Sequence, residues 1–208
     1  IGPEHLDDPA CDPDIALASY RFMERVNRLF GGVRNVRLFI EKEAISNRSG
    51  LPLRVLDIGS GSCDIPIAVS AWARRRGLPV SFTCLEIADQ AVKLGRDRIA
   101  EAKDSCVELI RKDIFTYQPD EPYDCAVASM CFHHFENDRI VEIVRQLRGF
   151  VKKNILINDL CRSTSAYVSA MVFSAFSHAG VRHDALQSVK RGFRSRDFDE
   201  IGARLDGV

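Results

Sequence analysis

From residue 53 onward, short apolar runs alternate with stretches whose apolar residues recur every three or four positions. Residues 53–58, 80–85, 107–110, 125–129 and 155–157 are predominantly apolar runs of strand length. That is the pattern of strands covered on both faces. Between them, 64–76 carries Ile65, Ala68, Val69 and Trp72 on one helical stripe, and 89–102 continues the helical period. Asn137 opens a third helix bearing Ile140, Val144 and Leu147. Strand and helix in alternation predict a parallel α/β sheet of Rossmann-like build, flanked by helices on both faces and wound by right-handed crossovers.

The flanks read differently. Residues 1–12, rich in Pro and Asp, predict an irregular arm. Asp12 caps a helix with Pro13 in its first turn and an inward stripe of Ile15, Ala18, Phe22, Val26 and Leu29, which Gly31-Gly32 ends. A second helix over 33–45 presents Val36, Ile40 and Ala44, and a polar linker over 46–50 follows. The chain thus divides into a helical cap (1–50) and an α/β domain (51–208). Near the other end, 166–178 predicts an unusually apolar helix, too short to span a bilayer. After the charged segment 181–196, Ser195 caps a last helix with Phe198, Ile201 and Leu205 inward.

Composition narrows the partners. Lys plus Arg and Asp plus Glu are both 29, so the net charge is zero and nucleic acid is not the expected partner. The seven cysteines include no C-x-x-C pair, which reads as free thiols in a reducing compartment. With no signal peptide and no apolar run of membrane-spanning length, the expectation is a cytoplasmic protein without membrane insertion.

The chemistry centres on Val55-Leu56-Asp57-Ile58-Gly59-Ser60-Gly61-Ser62-Cys63-Asp64, a strand that ends in an acid and opens through glycines into a helix. Glycines in such a turn let a ligand approach the backbone closely. Without a ligand the same residues make a tight strand–helix connection. A pyrophosphate on the helix N-terminus would be repelled by Asp57, whereas a ligand carrying an ammonium group would be attracted. Glu86, ending the second strand, can accept both hydroxyls of a ribose. After the fourth strand, Ser129-Met130-Cys131-Phe132-His133-His134 offers two candidate bases. A metal is not expected there, because neighbouring His side chains should diverge and no third ligand has suitable spacing.

The acid followed by x-Gly-x-Gly resembles the first motif of class I S-adenosylmethionine-dependent methyltransferases, with Cys63 where that motif has a third glycine. The resemblance implies S-adenosylmethionine as methyl donor and S-adenosylhomocysteine as product. It implies cofactor contacts from Asp57, Gly59, Ser60, Gly61, Glu86 and Ile87, from Asp113 and Ile114 at the adenine, and from Ser129 and Met130 at the methionine portion. His133 and His134 then face the acceptor. Asn27-Arg28-Leu29-x-Gly31-Gly32, Asn158-Asp159-Leu160, Arg162-Ser163, Arg182-His183-Asp184, Ser188-Val189, Arg191 and Phe193 are similar to a bacterial subgroup associated with type III polyketide synthases. Asn158, Arg182 and His183 become candidate substrate residues, although Arg182-His183-Asp184 reads equally as an ion-paired loop. In that family the region around 162–194 covers the acceptor, and an apolar lid favours a small apolar, aromatic or polyketide-like molecule. O-methylation is the first expectation and C-methylation the second. An NAD(P)-dependent oxidoreductase and a non-catalytic cofactor-binding protein are the competing readings. The family fold closes with an antiparallel strand pair, so a sheet ending with residue 208 would leave an exposed edge that favours a homodimer.

Overall fold

The computed structural model describes residues 2–8 and 10–206. Five parallel strands, β1 (Leu53–Ile58), β2 (Val80–Glu86), β3 (Val107–Arg111), β4 (Cys125–Ser129) and β5 (Ile155–Asn158), lie in the order β3-β2-β1-β4-β5. The chain builds outward from β1 to one edge and then returns to its other side. Neighbouring β1 and β4 therefore mark the point where strand direction of travel reverses, which is where such sheets bind ligands at their carboxyl ends.

Eight helices complete the described residues: α1 (Pro13–Leu29), α2 (Gly32–Ser46), α3 (Asp64–Arg75), α4 (Asp89–Ala102), α5 (Asn137–Arg148), α6 (Thr164–Phe173), α7 (Ala179–Arg191) and α8 (Ser195–Asp206). The alternation of side chains along β1 sorts the core. Leu53 and Val55 join Val36 and Ile40 of α2, Val69 of α3 and Val92 of α4 on one face. Leu56 and Ile58 meet Ile140 and Leu147 of α5 and Ile201 of α8 on the other. Because α2 buries Val36 and Ile40 in the same core as β1, it forms part of the helical layer over the sheet.

Three expectations about faces and ends are corrected. The buried residues of α1 are Ala16, Ser19, Tyr20, Phe22 and Asn27, while Leu29 is 67% exposed. This helix borders a cavity rather than a dry core, so polar positions turn inward. The apolar helix ends at Phe173, where the Ser174 hydroxyl donates to the Ala170 carbonyl at 2.6 Å. The charged stretch after it is mostly helical: α7 is capped by His178, whose Nδ1 accepts from the Gly180 N–H at 3.2 Å. None of the described helices is long and apolar enough to cross a membrane.

Candidate active site

A cavity of about 1200 Å³ opens at the carboxyl ends of β1, β2 and β4, enclosed by the N-terminal arm, α1, α6 and α7. Its floor is the turn after β1. Gly59 and Gly61 hold φ of 61° and 53°, in the left-handed region where a side chain is strained. A Cβ on Gly59 would also collide with the Cys131 thiol. Cys63, the residue in place of a third glycine, keeps the same left-handed backbone at φ 59° and is fully buried. Gly95 of α4 lies opposite it, where a Cβ would meet the Leu109 side chain at 2.7 Å and Cys63 Sγ at 3.4 Å.

Glu86 ties this turn to the end of β2. One carboxylate oxygen accepts from the Gly61 N–H at 2.8 Å, and the other from the N–H groups of Ile87 and Ala88 at 2.8 and 2.9 Å. Asp57 is 4% exposed, and burial, with help from the nearby Asp64 and Glu86 carboxylates and against the Ser60 hydroxyl, pushes its carboxyl up to about 8. Such an acid is neutral at pH 7 until a cation approaches it. Asp113 accepts from the Phe115 N–H at 3.0 Å, capping a short 3₁₀ turn that carries the buried Ile114, and Ile87 stands 61% exposed on the cavity rim. Ser129 and Met130 line the same space. Met130 holds a left-handed φ of 55°, a second strained position beside the glycine turn.

The histidines and the arm meet above this floor. His133 is buried, and its Nδ1 lies 2.6 Å from Asp159 Oδ1. Because a carboxylate only accepts, this contact places a ring proton on Nδ1. The only protein charge near Nε2 among the described residues is Glu4 Oε1, at 3.8 Å. Asp159 also accepts from the Phe132 N–H at 2.8 Å, and although burial works to raise its pKa, the hydrogen bond and charge of His133 hold it below the ordinary carboxylate range. His134 stacks on His133 with ring centroids 4.3 Å apart, so the neighbouring rings do not diverge as expected; the 3₁₀ turn of Phe132–His134 folds them together, and the arm adds Glu4 as a third group beside them. His134 Nδ1 bonds Asp7 Oδ1 at 2.8 Å, and Arg191 Nη1 donates to Asp7 Oδ2 at 2.7 Å. Burial works to lower the His134 pKa, but the Asp7 hydrogen bond and the Glu4 and Asp7 charges raise it overall.

All the residues expected to contact cofactor line this cavity, as do both histidines. The three candidate substrate residues do not. Asn158 bonds Asn35 at 2.9 Å, and Arg182 and His183 lie exposed on α7, while the neighbouring Asp184 is buried and borders the cavity. Glu4, Asp7 and Tyr20 also border it and carried no sequence signal. Their role depends on the arm folding back across the chain.

The α6 face toward the cavity is built from Ser165, Ala166, Ser169, Ala170 and Phe173, with Phe173 stacked near Phe22 at 5.5 Å and Phe30 at 5.2 Å. Val168, Met171 and Val172 face outward.

This fold, with its acid-bearing strand ends around a glycine turn, is the class I methyltransferase fold. Residues 55–154 match the family model described as a methyltransferase domain. Among solved structures, the plantazolicin methyltransferase BpumL in complex with SAH is 18% identical, with a TM-score of 0.71 over 95% of this chain and 71% of that one. The magnesium protoporphyrin IX methyltransferase of Synechocystis PCC 6803 with bound SAH is 12% identical, with a TM-score of 0.58 over 85% and 73%. The S-adenosylmethionine-dependent methyltransferase SibL is 21% identical, with a TM-score of 0.59 over 89% of this chain and 50% of that one. No curated protein sequence matches the chain.

Proposed function

We propose that the chain is an S-adenosylmethionine-dependent methyltransferase that methylates a hydroxyl of a small, largely apolar acceptor, with His133 as general base. The observation that carries this reading is one cavity lined both by the glycine turn with its acids and by the buried His133, whose Nδ1 is paired with Asp159. The residues fit the cofactor. Gly61 leaves room for close approach, Asp57 is a buried acid suited to an ammonium group, and Glu86 stands at the end of β2 where a ribose would bind. Ile87 and Ile114 supply apolar walls beside Asp113. The volume exceeds the roughly 300–1,000 Å³ of a single-ligand pocket, which leaves space for an acceptor.

When bound, the cofactor supplies an electrophilic methyl carbon on a sulfonium. The protein's part is to position the acceptor and remove its proton. His133 Nε2 takes that proton. Asp159, held ionised, stabilises the imidazolium and keeps the ring oriented. Phe22, Phe30, Phe173 and Met23 exclude water and favour an aromatic or polyketide-like molecule, in keeping with the polyketide-associated subgroup. C-methylation of an enolic carbon uses the same base and is the second reading. NAD(P) chemistry is the less favoured reading, because a pyrophosphate offers no cation to a buried acid such as Asp57, whereas an ammonium group does.

Melting curves with S-adenosylmethionine, S-adenosylhomocysteine and NAD test the cofactor. An adenosyl ligand at 100 times its Kd raises stability by about 2.7 kcal/mol. A shift with NAD alone overturns the reading. Mass spectrometry of phenolic and polyketide acceptors, looking for a gain of about 14 Da, then tests the acceptor.

A further inference from the structure

The Arg182-His183-Asp184 run is not used by the cavity chemistry, yet two of its side chains converge with the arm. His5 Nδ1 lies 2.8 Å from Asp184 Oδ1, and His183 Nδ1 lies 3.1 Å from the same oxygen. The two imidazole centroids are 4.8 Å apart in an edge-to-face arrangement. One ligand atom from each of the three residues falls within 4.8 Å of the others. Two donors bound to one ion at about 2.0–2.2 Å stand roughly 3.0–3.5 Å apart, and the two nitrogen–oxygen spacings of 2.8 and 3.1 Å lie at or just below that range.

We propose that His5, His183 and Asp184 form a divalent transition-metal site of the zinc class, which pins the N-terminal arm to α7 at the rim of the cavity. Two imidazoles and one carboxylate suit Zn²⁺, Co²⁺ or Ni²⁺ and not Mg²⁺ or Ca²⁺, which prefer all-oxygen sets. A second observation points to a cation. The Asp184 side chain is 6% exposed, and its Oδ2 is buried without a hydrogen-bond donor among the described residues. A carboxylate oxygen buried in that way is costly unless a positive partner meets it. The His5 and His183 side chains are 45% and 46% exposed, so an ion reaches them from solvent without the fold opening.

The cluster of Glu4, His133 and His134 is a poorer host. Both its rings already hold carboxylates, and the Arg191 guanidinium, 3.4 Å from Glu4, repels a cation. At the outer cluster the ion would join His5 to Asp184, 179 positions away, and to its neighbour His183. It would hold down the arm that carries Glu4 and Asp7.

The experiment is calorimetric titration of the full chain with ZnCl₂, paired with CoCl₂ titration followed by visible absorption. One ion per chain is expected, with cobalt bands of nitrogen–oxygen ligation. His183→Ala and His5→Ala should each weaken binding at least tenfold and abolish the bands, and His183→Gln serves as a second, less disruptive variant. Zinc should also slow proteolysis within the arm of the unmodified protein and not of the variants. Zinc binding that survives all three substitutions overturns the proposal, as does binding lost only in His134→Ala. Binding without protection of the arm overturns the pinning role. The melting shift with S-adenosylhomocysteine, read in the same preparations, reports folding and the methyltransferase assignment separately from the metal.

Discussion

At the scale of single residues, Asp57 and His133 carry the sharpest expectations. Asp57 sits near 8 in the free protein because burial disfavours its charge, and an ammonium ligand would restore that charge. Cofactor binding should therefore release close to one proton near neutral pH, measurable as a buffer-dependent heat. Affinity should rise between about pH 6 and 7.5, by at most tenfold per unit. Asp57→Asn should remove both effects and weaken binding at least tenfold; an unchanged pH profile would show that Asp57 does not meet the cation. His133→Ala and Asp159→Asn should each lower kcat by roughly 10²–10⁴ while leaving S-adenosylhomocysteine affinity within a factor of two or so. Equal losses in affinity and rate would assign the pair to cofactor binding instead of base catalysis. Neither the Asp57 environment nor the His133–Asp159 contact is visible in a single sequence. The acid's place before the glycines is local, but its burial depends on β2 and β4, which flank it through Cys84 and Val127.

At the scale of elements, the α/β alternation was legible because each buried strand and each amphipathic helix writes its own period. The bounds of β1, β4 and α4 follow directly from that reading. The failures cluster where a helix borders a cavity. In α1, Ser19, Tyr20 and Asn27 point inward and Leu29 outward, so a rule that sends apolar residues inside mistakes the face. In α6 the small residues Ala166 and Ala170 face the cavity while Val168 and Val172 face outward, an arrangement that periodicity cannot assign when every position is apolar or small. Because that small face makes room for an acceptor, Ala170→Phe should reduce turnover of bulky acceptors by tenfold or more, measured as kcat/KM. The melting shift with S-adenosylhomocysteine should persist. A variant that loses the cofactor shift and keeps turnover of small acceptors would assign α6 to the cofactor side.

At the scale of the molecule, the arm matters most, and it was the least legible segment. Its contacts with His133, His134 and Arg191 bridge more than a hundred residues, beyond any local pattern. They form a latch with a definite pH window. Although burial opposes it, the His134 and Arg191 contacts depress the Asp7 pKa, so its contribution is present above about pH 4 and lost as pH falls through the lower folded value. The His134 pKa is raised, so its contribution is full below about pH 6.5 and fades as pH rises through the higher folded value. The raised Asp57 pKa adds a further loss of stability from about pH 4 up to its folded value near 8. The midpoint of thermal unfolding should therefore be lower at pH 9 than at pH 6, and protease should cut the arm faster. His134→Ala should shrink that difference to the part Asp57 contributes, and an unchanged difference would remove the latch from the explanation.

The seven free cysteines, first read only as a sign of a reducing compartment, are distributed unevenly around the cavity. Cys63, Cys84, Cys125 and Cys131 are buried, and burial holds the Cys84 and Cys131 thiols far above their ordinary range, so a haloacetamide should pass them by. Cys11 and Cys161 are reachable and line the cavity, whereas Cys106 is reachable and lies away from it. The protein thus carries its own occupancy reporter. A molecule that fills the cavity should slow alkylation at Cys11 and Cys161 and leave Cys106 unchanged as an internal clock. Acceptor candidates could then be ranked by peptide mass spectrometry before any product is known.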